Sequence, residues 1–136
     1  QIAVSGIGSI DYRRIFDASS ARALVKGKFP YMSLHEVLDP ASDGHRAAIC
    51  VTVADMTEHV YKDRTSGERK RFVKLMLQQN NDVVEMVCWS ETCEAHRDTL
   101  SGLKERILIL SGMVKYSDYS GTNTLQSTKS SLIHIV

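Results

Sequence analysis

Six basic side chains are concentrated in one short segment of the chain, between Tyr61 and Lys74. Only Asp63 and Glu68 oppose them there, so the segment carries a local charge of +4 in a chain whose formal net charge is +1. Because the total charge is close to zero, attraction to a polyanion must come from such a local cluster. Clustered cations of this kind can neutralise phosphate groups. The six residues are Lys62, Arg64, Arg69, Lys70, Arg71 and Lys74.

Aromatic side chains near this segment could supply the stacking of bases, which contributes about 1–3 kcal/mol for each base. Tyr61 and Phe72 bracket the basic segment, and Tyr116 and Tyr119 lie in or beside a later loop that also follows Lys115. For each ring the alternative is an ordinary packing role. We therefore predict nucleic-acid contact by the six basic residues together with Phe72, Lys115, Tyr116 and Tyr119.

No pattern in the sequence indicates a metal, a cofactor or catalysis. Cys88, Cys93 and His96 would be three zinc ligands, but a fourth is not evident. Gly6-Ile7-Gly8 lacks the third glycine and the preceding strand of a dinucleotide site, and no Ser, His and acid arrangement suggests a nucleophile. We expect no cofactor, no metal and no enzyme activity of this chain alone.

Five segments with β-branched or alternating apolar residues predict strands, joined by turns at Ser66-Gly67 and Asn80-Asn81-Asp82. The predicted strands span residues 47–60, 71–78, 83–89, 106–116 and 124–136. Alternation points the side chains of Val73, Leu75, Leu77, Val84, Met86 and Cys88 inward. It points those of Phe72, Lys74, Met76, Glu85, Val87 and Trp89 outward. Because Trp89 directly precedes a predicted helix, we interpret it as a structural residue packed under that helix.

One helix of about three turns is predicted between the third and fourth strands, with Ser90 as its N-cap and Gly102 at its C-terminal end. The order β-β-β-α-β-β is that of the OB fold, a mainly β, five-stranded Greek-key barrel. In this fold the loops after the first and fourth strands flank the binding groove. The basic segment and the later tyrosines therefore fall on the ligand side.

The first 44 residues differ from the rest and predict a short helical N-terminal extension. Asp17 or Ser19 can cap a helix that ends before Gly27, and Ser33 with Glu36 forms a capping box for a second helix. The division is residues 1–44 for this segment and 45–136 for the barrel.

The composition is that of one domain, since 136 residues with 43% hydrophobic content can form a core. Three cysteines without a C-x-x-C pair fit a reduced environment. No segment resembles a signal peptide or has the length of a membrane span. We expect a cytoplasmic, nucleoid-associated or otherwise intracellular protein that does not contact membranes.

Two segments in the barrel region carry a resemblance to a known family, RFVKLMLQQNNDVVEMVCW and ILILSGMVKYSDYSGTNTLQ. They resemble the nucleic-acid-binding OB domains of bacterial replicative DNA polymerase alpha subunits, near their C-termini, and the tRNA-anti type domains of some aminoacyl-tRNA synthetases. The N-terminal VSGIGSIDYRRIFDA is similar to half of a helix-hairpin-helix motif, with Gly6-Ile7-Gly8 as its glycines. The following GKFPYMSLHEVLD is similar to a segment of the polymerase subunits. The resemblance implies a template-handling accessory domain without a polymerase centre.

Three hypotheses follow. The first is a module that binds single-stranded DNA within a replication or repair protein, such as a family C DNA polymerase, with other replication proteins as further partners. The second is a protein-interaction OB domain of a replication assembly, which the small net charge favours. The third is a tRNA anticodon-binding domain, in which stacking combines with recognition of base edges.

Overall fold

The computed structural model describes residues 10–20, 22, 28–95 and 102–136. Its strands are β1 (Arg46–Lys62), β2 (Arg69–Gln79), β3 (Asp82–Cys88), β4 (Ile107–Ser117), β5 (Thr122–Gln126) and β6 (Ile133–Ile135). The helices are α1 (Tyr12–Ala18), α2 (Leu34–Val37) and α3 (Ser90–Ala95), with a 3-10 turn at Pro40–Ser42.

The strands close into a barrel with the Greek-key order predicted from the sequence. Neighbouring strands follow the order β1-β2-β3-β5-β4, and β1 also pairs with β4, which closes the ring. All of these pairings are antiparallel except that between β3 and β5, where Met86 pairs with Leu125 and Val87 with Gln126. The mainly β, barrel-forming prediction is confirmed.

The single strand predicted over residues 124–136 is wrong in one respect, because the structure divides it into β5 and β6. Both pieces pair with β4, but between Gln126 and Ile133 the chain leaves that strand. Ser127 bonds to β3 instead: its N–H donates to the Val87 carbonyl at 2.8 Å, and its Oγ accepts from the Trp89 N–H at 2.8 Å. A turn closed by Thr128 and Ser131 then returns the chain to β4.

The barrel core has the inward residues that alternation predicted. Val73, Leu75 and Leu77 of β2 and Val84, Met86 and Cys88 of β3 are buried, and each belongs to the main apolar cluster. Where β4 crosses β5, only glycine fits at position 112, because a Cβ there would lie 2.6 Å from the Gln126 carbonyl oxygen.

The N-terminal segment contributes to this core and covers the outside of the barrel. The predicted capping box is present, with the Ser33 Oγ accepting from the Glu36 N–H and the Glu36 carboxylate accepting from the Ser33 N–H. It starts α2, whose Leu34 and Val37 are fully buried among the barrel residues. A second apolar cluster joins α1 to the outer side of β1 and β4. The division of the chain at residue 44 stays a prediction.

Several other predictions have definite outcomes. The turn glycine Gly67 has φ +74° and Asn80 has φ 55°, as the predicted turns require. Gly102 has φ +78°, which suits a helix C-terminal cap. The continuation of α3 past Ala95, residues 21 and 23–27 of the helix predicted to end before Gly27, and Gly6-Ile7-Gly8 lie outside the described residues. Asp17 does not cap that helix, because it lies inside α1. No helix in the described part of the chain is long and apolar enough to span a membrane.

Candidate nucleic-acid interface

A β-bulge in β1 decides which side chains of the β1–β2 hairpin share a face. Val53 lies opposite Leu77, but Asp55 lies opposite Met76, so Ala54 is an extra residue in β1. Before the bulge the odd-numbered positions point into the core, and after it they point outward. The bulge therefore brings His59 and Tyr61 to the outer face of the sheet.

Four rings meet on this outer face, and we call them the ring cluster: His59, Tyr61, Phe72 and Trp89. Phe72 lies at the centre, with ring centroids 4.9 Å from His59, 5.8 Å from Tyr61 and 5.4 Å from Trp89. The His59 and Phe72 rings are stacked at an interplanar angle of 10°. Tyr61 also meets Trp89 edge to face, at 6.2 Å and 80°.

Trp89 lies on the outer face against Phe72 and Tyr61, which differs from the predicted packing under the helix, and its role stays a prediction. β3 ends at Cys88, whose side chain is buried, and the next side chain consequently points outward beside Phe72. The indole is 38% exposed, and its Nε1–H donates to the Gln126 Oε1 at 3.4 Å. The alternation of the third predicted strand already indicated this outward direction.

His59 is a member of the ring cluster that sequence reasoning missed. It is the cross-strand partner of Phe72 and its Nε2 lies 3.1 Å from the Thr57 Oγ1. Nothing in the local sequence identifies it, because its position depends on the bulge at Ala54 and on the register with β2.

Two of the predicted cations share the face of the ring cluster, and both are already in ion pairs. Lys70 Nζ lies 2.9 Å from Asp63 Oδ2, and Lys74 Nζ lies 3.5 Å from Glu85 Oε1. Lys70 holds the pKa of Asp63 below its ordinary value, helped by the N–H groups of Thr65 and Ser66. The same hydrogen bond raises the pKa of Lys70.

The other hairpin cations do not share the face of the rings. Register and alternation place Lys62, Arg69 and Arg71 on the opposite side of the hairpin, which we call the back face. Arg64 lies in the turn between the two strands. The predicted basic cluster is thus one segment in sequence but two surfaces in space.

The loop between β4 and β5 lies at the opposite end of the barrel strands from the ring cluster. β5 runs parallel to β3, so its first residues lie beside the start of β3, whereas Trp89 follows the end of β3. Tyr119 is 99% exposed and Tyr116 is 49% exposed, and Lys115 is exposed as well. The structure therefore brings Tyr61 and Phe72 together but keeps Tyr116 and Tyr119 apart from them.

The cysteines have no geometry for metal binding within the described residues, where no cluster of three ligand side chains occurs. All three are buried and none is in a disulfide bond, and burial raises the pKa of Cys50 and of Cys88 to about 12. His96, considered above as a ligand, lies outside the described residues.

Comparison with known proteins identifies the fold. No family model and no curated protein sequence matches the chain. The second OB-fold domain of replication protein A from Methanococcus maripaludis is similar over 69% of this chain and 86% of that one, with a TM-score of 0.53 and 20% identity. The chain has an OB fold.

Two further OB-containing structures are similar, at identities that concern the fold alone. A replication protein A heterotrimer bound to single-stranded DNA matches 87% of this chain and 27% of that one, with a TM-score of 0.61 and 19% identity. Asparaginyl-tRNA synthetase from Pyrococcus horikoshii matches 79% of this chain and 23% of that one, with a TM-score of 0.58 and 17% identity. The OB fold of this chain thus has structural neighbours among both DNA- and tRNA-related proteins.

Proposed function

We propose that this OB fold binds single-stranded DNA, with bases stacked on the ring cluster. The observation that carries the proposal is the position of the cluster, which lies on the outer face of β1, β2 and β3 with an open indole surface at Trp89. Single strands are bound by the stacking of bases on aromatic rings combined with cationic contacts to phosphates. Both elements occur on this face.

The lysines beside the rings bind phosphate by exchanging a carboxylate partner for a phosphate group. Lys70 and Lys74 flank Phe72 on the same side of β2, and each faces one carboxylate in the free chain. Both ion pairs are partly exposed to solvent, and surface pairs contribute little to stability, so replacing the carboxylate by a phosphate costs little. The ion pairs also keep both lysine side chains near the rings before the strand arrives.

The biological setting belongs to the same proposal. We place the chain in a DNA replication or repair protein, as a non-catalytic accessory domain such as that of a family C polymerase, and inside the cell. Support comes from the resemblance of the barrel segments to polymerase subunits and from the replication protein A structures among its neighbours. Further replication proteins are the expected protein partners.

The direct test uses Trp89, which is the single tryptophan of the chain and therefore reports on this site alone. An oligothymidylate of about 12 nucleotides is titrated while the indole fluorescence is recorded, at about 50 and 200 mM salt. We expect quenching and a weaker affinity at the higher salt concentration, with a slope of log K against log salt of about −0.7 for each phosphate contact. Unchanged fluorescence, or an affinity insensitive to salt, would contradict the proposal.

The tRNA alternative is supported by the synthetase among the structural neighbours. The same titration with an RNA strand of equal length and sequence separates the two functions. Tighter binding of RNA than of DNA, together with a preference for particular bases, would favour the anticodon-binding function. A failure of both strands would favour the protein-interaction alternative.

A further inference from the structure

The back face of the β1–β2 hairpin combines exposed cations with an arrangement that does not favour the fold. Lys62 and Arg69 are direct cross-strand partners. Like charges directly opposite one another in an antiparallel pair destabilise it. The neighbouring pair on the same face is Val60 with Arg71, and Val60 is 62% exposed. Stability of the hairpin alone does not account for this choice of residues.

Lys62 and Arg69 of the back face also differ from the cations beside the rings in their partners. Lys70 and Lys74 each have a carboxylate on their own face. Lys62 and Arg69 are exposed and form no ion pair with any residue that the structure describes. Glu58 and Glu68 are exposed as well, and Asp63, which follows Lys62, is paired with Lys70. Among the described residues, no ion pair therefore offsets the charges of Lys62 and Arg69.

A short strand bound to one face of the hairpin cannot contact the other face in the same way. Side chains of the ring cluster and of the back face leave the two-stranded ribbon in opposite directions. A strand stacked on Phe72 and Trp89 lies on one side of the ribbon, whereas the side chains of Lys62 and Arg69 leave from the other.

We propose that the back face binds the phosphate backbone of a second nucleic-acid strand, so that the hairpin lies between two strands where they separate. This inference rests on the proposed function for the first strand, which the ring cluster binds. The second strand is held by charge and without recognition of its bases, because Lys62, Arg69 and the turn residue Arg64 offer cations and no ring. A forked DNA is the ligand that presents both strands at once.

The test compares two ligands and three proteins. The ligands are a fork with two oligothymidylate arms and a single oligothymidylate as long as one arm. The proteins are the natural chain, the double variant Lys62→Gln/Arg69→Gln, and the matched control Arg14→Gln/Lys28→Gln, which also removes one arginine and one lysine from exposed positions. The natural chain should bind the fork more tightly than the single strand.

For the back-face variant we expect a selective loss. The slope of log K against log salt on the fork becomes shallower by about 1.4, since each removed contact to a single-stranded phosphate lowers it by about 0.7, whereas the affinity for the single strand is unchanged. The control variant binds both ligands like the natural chain. The melting temperature of the back-face variant should be equal to or higher than that of the natural chain, because the like-charged pair of Lys62 and Arg69 is removed.

Two results would overturn the inference, and neither of them would by itself contradict the proposed function. If the back-face variant loses equal affinity for both ligands, the cations contact the same strand as the rings. If it loses none on the fork, the back face does not bind nucleic acid. In both cases quenching of Trp89 fluorescence by the single strand still supports the proposed function. If the single strand does not quench Trp89 in the natural chain, both the proposed function and this inference are contradicted.

Discussion

Phe72 contacts three other rings, so the members of the ring cluster have different roles. One side of its ring is stacked on His59, and Tyr61 and Trp89 lie against it from other directions. Trp89 lies at the edge of the group with part of its indole open. Phe72 therefore holds the other rings in place, and Trp89 is the surface on which a base can stack without rearrangement.

Replacing Trp89 by alanine should weaken binding of oligothymidylate by about 1–3 kcal/mol, since one stacking surface is removed. The matched variant Tyr119→Ala removes a fully exposed ring at the opposite end of the strands and should change the affinity much less. Because the Trp89 variant has no indole, fluorescence anisotropy of a labelled oligonucleotide measures both. Equal losses for the two variants would mean that the strand runs along the whole sheet and depends on both ends.

The strands were the most predictable elements of this chain, because burial on one face leaves a period of two in the sequence. β2 and β3 show this period throughout, and their inward apolar residues were predicted, whereas the buried Gln79 at the end of β2 was not. The division between β5 and β6 was not, since it depends on Ser127 bonding to Val87 across the barrel. The bulge at Ala54 could not be predicted either, because it is defined only by the register of β1 with β2.

The same reasons limited what the sequence indicated about the site. The basic segment could be identified from its composition. Its separation into two faces follows from cross-strand pairs such as Lys62 with Arg69 and Tyr61 with Lys70. His59 became a site residue only through the bulge. The position of Trp89 on the outer face follows the alternation of the strand and not the nearby helix start.

The tip of the β1–β2 hairpin should lose order as the pH falls. Lys70 and two backbone N–H groups hold the pKa of Asp63 below its ordinary value. A carboxyl group with a lowered pKa in the folded chain stabilises it above the unfolded pKa, and this contribution is lost as the pH falls through the folded pKa. The pKa of Lys70 is raised, so its contribution is complete below the ordinary lysine pKa and is lost as the pH rises through the folded value.

Amide hydrogen exchange at Gly67, whose N–H donates to the Asp63 carbonyl at 2.8 Å, measures this order. Protection, corrected for the intrinsic pH dependence of exchange, should decrease on the acid side in the natural chain and should not depend on acid pH in Asp63→Asn. Asp118→Asn, in the other exposed loop, is the control and should behave like the natural chain. An acid-side decrease that persists in Asp63→Asn would exclude this carboxylate as its cause.

At the scale of the whole molecule, the N-terminal segment and the barrel share their interior. Leu34 has no exposed surface, and its N–H donates to the Gln79 Oε1 at 3.0 Å. The Gln79 amide in turn donates to the Cys50 carbonyl at 2.9 Å, which joins α2 to β2 and β1. On the other side, the Asn123 amide of β5 donates to the carbonyls of Val37 and Asp39. The short helix therefore closes one end of the barrel.

Leu34→Ala should lower the free energy of unfolding by about 2–5 kcal/mol, the usual cost of truncating a fully buried leucine. Leu38→Ala is the matched control, since Leu38 follows on the same helix but is only partly buried, and its cost should be smaller. Urea unfolding followed by circular dichroism and by Trp89 fluorescence should show one coincident transition for the natural chain. Two separated transitions would show that the segment and the barrel unfold independently.

Trp89 is attached to β5 and to the residue after it, as well as to its own strand. Its indole bonds to Gln126 and its backbone to Ser127, next to the short parallel seam where β3 meets β5. If opening of that seam displaces the indole, ligand binding and barrel closure are thermodynamically linked. A base stacked on Trp89 then stabilises the closed ring by the same free energy with which the closed ring favours the base. The two residue pairs that join β3 to β5 and the proposed contact with DNA would then open and close together.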